Sequence, residues 1–192
     1  MSAFFVQDFR SRYRYFSSEP IHQIEVELSR PKKLWQEAKK RLMLLPKRIL
    51  AQEQAFEQTL KCREKVIEIY YSGLLDQDRI RKKFLFFLQK QRSKHVLFLA
   101  VEFVLLPVSG LMALLPGPNV FFGVLALIMI TQWQALRGIN SLLKKNFEFQ
   151  PKEDLRAWEQ AVQDRKEGQF AEILERIQKT YRIENLKKIL WR

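Results

Sequence analysis

Cysteine and histidine are almost absent from this sequence: Cys62 is the one thiol, and His22 and His95 are the two imidazoles. A single cysteine excludes an intrachain disulfide and a cysteine-based metal cluster, so neither a metal nor a cofactor is expected. A lone thiol also fits arms that face a reducing compartment. Enzyme signatures are missing too. No G-x-S-x-G, H-E-x-x-H, Walker loop or C-x-x-C occurs, and the chain is not expected to be an enzyme. There is no internal repeat and no low-complexity tract. The N-terminus, MSAFFVQDFRSRYRYFSS, lacks the ordered basic, apolar and cleavage regions of a secretory signal. Its Arg, Ser and aromatic content is of the kind found in organellar presequences, but Asp8 and the missing amphipathic face argue against a cleaved leader.

Charge is the next absence, and it is local. Residues 96–136 are 41 positions with one formal charge, Glu102. The averages (47% apolar, 29% charged, mean hydropathy −0.26) describe a soluble helical protein, but they mix two unlike materials. Outside the window, charge recurs at helical spacing and the chain's net charge is +13. Residues 1–95 hold 21 Lys/Arg against 11 Asp/Glu, and residues 96–192 hold 13 against 10. A basic tract beside a long apolar run favours contact with anionic membrane lipids and control of membrane orientation. No nucleic acid is expected, because basic residues are interleaved with acids and the one dense aromatic-basic run, residues 9–16, is short.

At the N-terminus, Ile24, Val26 and Leu28 alternate with Gln23, Glu25 and Glu27 at strand period, and Phe4, Phe5, Val6 and Phe9 could supply a partner strand. Ser29 and Pro31 form a helix-start signal. Residues 31–45 then place Leu34, Trp35, Ala38 and Leu42 on one face, with Lys32, Lys33, Lys39, Lys40 and Arg41 largely elsewhere. Pro46 kinks or restarts this helix, which is expected to continue through Ile49, Phe56, Leu60, Ile67 and Tyr70 to Gly73. Asp76 or Asp78 can cap the next helix, DRIRKKFLFFLQKQRSKH. With Ile80, Phe84, Leu85, Phe87 and Leu88 among its cations it suits either a membrane interface or an ordinary packed face. Beyond the window, Lys144 and Lys145 precede a polar stretch ending at Pro151. Two helical runs follow, 152–166 and 169–190, broken near Gly168. Leu155, Trp158 and Val162 form one seam; Phe170, Ile173, Leu174 and Ile177 form another. This helix pair is expected to close onto the N-terminal helices.

The apolar window itself reads as a hairpin. A membrane helix needs ~20 mostly apolar residues to cross a ~30 Å hydrocarbon layer, and residues 96–115 supply that number. Pro116, Gly117, Pro118 and Asn119 then stop the helix. Residues 120–136 add a shorter second limb that spans a thinned layer or dips partway. Arg92, Lys94 and His95 lead in, while Arg137, Lys144 and Lys145 lead out, which places both termini on the cytoplasmic or matrix side. The expected fold is therefore an all-α membrane protein with one transmembrane or re-entrant helical hairpin and basic amphipathic helical arms, allowing a short β element at the N-terminus. Its parts are a basic N-terminal arm (1–95), the hairpin (96–136) and a C-terminal helical arm (137–192). Arg81, Lys82, Lys83, Arg92, Lys94, Lys144 and Lys145 are the cations expected to face lipid. A turn centred near 117–118 sets Glu102 level with Trp133, between Gln132 and Gln134. That polar set is either part of an ion or proton path or, preferably, a carboxyl hydrogen-bonded between helices. Gly110, Gly117, Gly123 and Gly138 allow close helix approach.

The stretch LLPVSGLMALLPGPNVFFGVLALIMITQWQALRGINSLL resembles the signature region of the mitochondrial K+/H+ exchange-related family. The matching residues are Pro107, Pro116, Pro118, Asn119, Phe121 and Phe122, followed by Trp133, Ala135 and Gly138 in a W-x-A-x-x-G spacing. Thr131 and Gln132 stand where the family has serine and histidine, and the family's arginine shortly before them is missing. Without that histidine, Glu102 is the sole titratable group in the window. The resemblance covers about 45 residues and reaches the arms only in general character. It implies a component of K+/H+ exchange and of volume and ion homeostasis, in a bacterial inner membrane or, as the alternative, the mitochondrial inner membrane. Two helices cannot enclose a polar path. The chain would therefore handle K+ and H+ only as a homo-oligomer or as accessory to a partner membrane protein. The alternative is a membrane-tethered scaffold whose basic helices bind anionic lipid or a soluble partner.

Overall fold

Ser2–Gln7 holds Ala, Phe, Phe and Val in unbroken succession, the pattern of a strand covered on both faces. In a computed structural model, which describes residues 2–17, 47–62, 64–111, 120–183 and 185–191, this segment is strand β1. It turns back through Asp8 into β2, Tyr13–Ser17, pairing antiparallel with Phe5 opposite Tyr15. The turn is built around the Asp8 carboxylate. Its Oδ1 accepts the backbone N–H groups of Arg10 (2.9 Å) and Arg12 (3.0 Å), and its Oδ2 pairs with the Arg14 guanidinium at 2.8 Å. Helix α1 (Lys47–Lys61) leads to β3 (Val66–Tyr71), which lies parallel to β1 with Ile69 beside Ala3. Two long helices, α2 (Gln77–Leu111) and α3 (Val120–Leu142), separate β3 from β4 (Asn146–Pro151). Strand β4 is again parallel to its neighbour, with Phe149 beside Ile69. Helices α4 (Glu153–Gln163), α5 (Glu167–Tyr181) and α6 (Leu186–Leu190) complete the described chain.

The strand order is β2-β1-β3-β4, and helices cover both faces. Phe4, Val6 and Phe16 point to one side, into a cluster with Leu155, Trp158, Phe170, Ile177 and Leu190 of α4–α6. Ala3, Phe5, Tyr15, Ile67, Ile69, Tyr71 and Phe149 point to the other. There they meet Phe56 of α1, Ile80, Phe84 and Leu88 at the start of α2, and Ile139 and Leu142 at the end of α3. The far ends of α2 and α3 therefore form an arm attached to the second face.

The expected all-α membrane fold is thus overturned: the domain is mixed α/β with a four-stranded sheet. Strand β3 occupies residues assigned to a continuing helix. Val66, Ile67, Ile69, Tyr70 and Tyr71 are β-branched or aromatic, and pairing on both edges overrides a short helical stripe. Strand β4 was hidden in a stretch read only as polar, because just Phe147 and Phe149 mark its alternation. The aromatic-basic run at 9–16 is the β1–β2 turn and most of β2. The predicted partner strand at 23–28 and the helix at 31–45 lie outside the described residues.

The membrane crossing is corrected as well. No helix among the described residues is long and apolar enough to cross a membrane. Helix α2 merges the basic helix and the first limb, Glu102 interrupts its apolar part, and residues 112–115 of the expected limb lie outside the described residues. In α3 the apolar run from Val120 reaches Thr131 and Gln132 after 11 residues, ~16 Å at ~1.5 Å per residue. Pro107 lies inside α2 without ending it, and the 116–119 turn lies outside the described residues. At the C-terminus the two predicted seams are buried and close onto the sheet, with Ala51 of α1 also packed against their cluster. The break falls at 164–166, where Arg165 takes φ 54°, and Gly168 sits within α5.

One buried carboxylate ties this face to the sheet. Glu159 of α4 accepts the backbone N–H of Gln7 (2.9 Å) and the hydroxyl of Ser72 (2.5 Å), and the neighbouring Trp158 indole donates to the Gln7 carbonyl (2.7 Å). Burial raises the Glu159 pKa, against the lowering effect of its Ser72 and Gln7 hydrogen bonds. A carboxyl whose folded pKa lies above its unfolded value adds stability at low pH, and that stability is lost as pH rises through the folded pKa. Wild type should therefore gain melting temperature relative to Glu159→Gln as pH is lowered from 8 toward 5. Thermal melts of the two proteins across that range check it; a constant difference would contradict it.

Candidate functional site

The surface of α2 changes character within two residues. Up to Lys94 its exposed side chains are mostly polar: Arg79, Arg81, Lys82, Lys83, Lys90, Arg92 and Lys94 face solvent, with Phe86 the large apolar exception. From Val96 onward they are apolar. Leu97 is 65% exposed, Phe103 and Val104 are each 69% exposed, and Val96, Phe98, Val101 and Leu105 are also exposed. On α3, Ile130 and Trp133 (54%) join them. Among the described side chains a narrow seam is covered, in which Phe84, Leu88, His95 and Glu102 of α2 are spaced to face Leu125, Ala135, Leu136, Ile139 and Leu142 of α3. A helix that is apolar nearly all round cannot owe this to its partner helix, which needs a single stripe. Exposed apolar surface of this extent marks an interaction site.

The seam fixes the register of the arm. His95 Nδ1 hydrogen-bonds Gln132 Oε1 across the two helices, and the Phe56 ring of α1 stands edge-on to the imidazole with centroids 6.5 Å apart. Burial lowers the His95 pKa, with Gln132 opposing the shift, so the ring is neutral at pH 7. With His95 opposite Gln132 in antiparallel helices, Lys94 is about level with Trp133, Lys90 with Arg137, and Glu102 with Leu125. Trp133 accordingly sits at the boundary between the cationic and apolar parts of the arm.

That register departs from the one inferred from sequence. Glu102 is buried at 8% exposure, and its Oε2 has no hydrogen-bond partner among the described residues. Gln132 is taken by His95, Gln134 is half-buried nearer the sheet, and the Trp133 ring is exposed. Desolvation raises the Glu102 pKa. Signals for this arrangement were present: His95 and Glu102 are seven residues apart, as are Leu88 and His95, which continues one helix face.

The W-x-A-x-x-G residues divide by face. Trp133 points outward, Ala135 is buried in the seam, and Gly138 lies under the backbone of α1. Lys145, expected to face lipid, instead donates to the carbonyls of Cys62 (2.6 Å) and Thr59 (3.4 Å) at the end of α1, where a cation complements unsatisfied helix carbonyls. Lys83 stacks over the Tyr13 ring at 5.3 Å while Lys144 is exposed. Arg81–Lys83 precede Val96 by 13 or more residues, ~20 Å along a helix, so the cations beside the apolar surface are Lys90, Arg92, Lys94 and Arg137. Sequence reasoning had singled out neither Lys90 nor the outward set Leu97, Phe103 and Val104. Among the described residues, no group of three or more His, Cys, Asp or Glu could hold a metal ion.

Comparison with known proteins gives one match. Residues 16–145 fit the family described as mitochondrial K+-H+ exchange-related, a span that runs from β2 to the residue before β4 and includes the entire arm. Neither the curated proteins nor the solved structures contain a match to the chain. The family name points to a role related to mitochondrial K+/H+ exchange. With well over half of its residues in the match, the chain belongs to the mitochondrial K+-H+ exchange-related family.

Proposed function

We propose that this protein is an accessory component of K+/H+ exchange that binds an anionic lipid surface through the outer part of the α2–α3 arm. The observation that carries the reading is the sharp boundary on the arm, where Lys90, Arg92, Lys94 and Arg137 give way to Leu97, Val101, Phe103 and Val104. Cations placed beside exposed apolar side chains complement lipid phosphates beside lipid chains, and an amphipathic tryptophan at the boundary suits the headgroup layer. Each Lys or Arg near an anionic surface adds ~1 kcal/mol of attraction. The sheet and its helices form the part of the molecule away from lipid.

The composition of the arm supports the accessory role. Two helices enclose no polar path shielded from lipid, and Glu102 is the one titratable side chain between His95 and Arg137. Ion movement then belongs to a partner or to an assembly of copies. Reconstitution tests this. Purified protein in vesicles should give no K+-dependent pH change, while removing it from its native membranes should lower K+/H+ exchange there. Flux from the purified protein would make it the exchanger itself, and unchanged exchange after its removal would leave lipid or partner binding as its whole role.

A further inference from the structure

Glu102 is an unusual residue to find on a lipid-binding arm. It sits two helical turns beyond the boundary set by Lys94 and Trp133, in the apolar part, buried, with its Oε2 unpartnered among the described residues. From α3 it faces the level of Leu125, with Ile128 and Met129 closer to the base, and residues 96–136 contain no other charged side chain. On its own helix the nearest ionisable groups are His95, held by Gln132, and Lys94 beyond it. Helix α1 packs along α3, where Phe56 adjoins His95 and Glu53 lies near Lys94. Among the described residues, no cation is therefore in place to stabilise the ionised form.

We infer that Glu102 makes lipid engagement proton-linked: the arm binds a lipid surface with this carboxyl neutral, and each engagement at a pH where it is ionised takes up one proton from water. The inference rests on the lipid-binding reading above. An ionised carboxyl that loses its remaining water against lipid carries a large solvation penalty, whereas the neutral acid carries a small one. Apolar side chains around it are exposed, so lipid contact removes water that the free arm still has nearby. Burial already raises the Glu102 pKa in the free protein, and lipid would raise it further. Linkage then requires the converse, that lowering pH strengthens lipid binding.

The test measures binding of the full chain to phosphatidylcholine vesicles, with and without phosphatidylglycerol, between pH 8 and pH 5. One unit of pKa difference between bound and free protein is a factor of about ten in affinity. Wild type should bind about tenfold more tightly at pH 5 than at pH 8 on both vesicle types. Glu102→Gln and Glu102→Leu should bind at every pH as wild type does at pH 5; circular dichroism confirms that each is folded. A pH dependence retained in both variants overturns the proposal, as does one confined to the anionic vesicles, which would assign it to His95 and surface charge. Pronounced wild-type binding that ignores pH overturns this proposal alone, while no binding at any pH overturns the lipid reading beneath it.

Discussion

Gly138→Val is expected to lower the stability of the domain by about 3 kcal/mol or more, near the upper end of what overpacking costs. A Cβ at this position would stand 2.1 Å from the carbonyl oxygen of Phe56 and 2.6 Å from its carbonyl carbon. Both are backbone atoms of α1, so no side chain can swing aside. In an exposed helix interior, replacing Gly would gain up to ~1 kcal/mol in propensity. Here the collision decides the sign, and even Gly138→Ala should destabilise. For a domain of this size each kcal/mol is ~2–4 °C of melting temperature, so a drop of about 10 °C is expected for the valine variant. Thermal denaturation reads it directly. A variant that melted with wild type would show that α1 does not rest on α3 at this point.

The second large effect is on binding. Leu97→Asp combined with Phe103→Asp is expected to weaken binding to anionic vesicles by two orders of magnitude or more. Burial of a large apolar side chain contributes ~1.5–3 kcal/mol, and two such residues are lost while two charges are introduced. Both side chains are exposed and belong to neither core cluster, so the melting temperature should change little. That pairing of lost binding with retained stability separates an interaction surface from a structural one. Co-sedimentation with vesicles measures the first and calorimetry the second. Equal losses in both would assign Leu97 and Phe103 to the fold.

The two variants also mark what the sequence made legible. The apolar window, its cationic approach and the W-x-A-x-x-G spacing were all visible, and they identify the arm and the family region. The meaning of the glycine was not, because its neighbour Phe56 lies 82 positions away and the approach depends on tertiary packing. Strand β1 could be read from its apolar run, whereas β3 and β4 could not. Val66–Tyr71 continues a plausible helical stripe, and Asn146–Pro151 shows only two apolar positions. What makes these strands is pairing with each other and with β1, a non-local interaction that periodicity does not encode. The same limit affected Glu102. Counting from an assumed turn centre placed it beside Gln132 and Trp133, but His95 holds Gln132 and shifts the register so that Glu102 faces apolar residues.

The position of Trp133 at the boundary offers the most direct test of the lipid-binding account. Brominated lipids quench tryptophan that reaches the headgroup–chain border, and Trp158, buried in the core, is out of their reach. Mixing a Trp35→Phe, Trp191→Phe variant with vesicles of brominated anionic lipid should quench part of its fluorescence, and adding Trp133→Phe should abolish that part. Fluorescence that is not quenched, or quenching that survives Trp133→Phe, would contradict the assignment of the arm to a lipid surface.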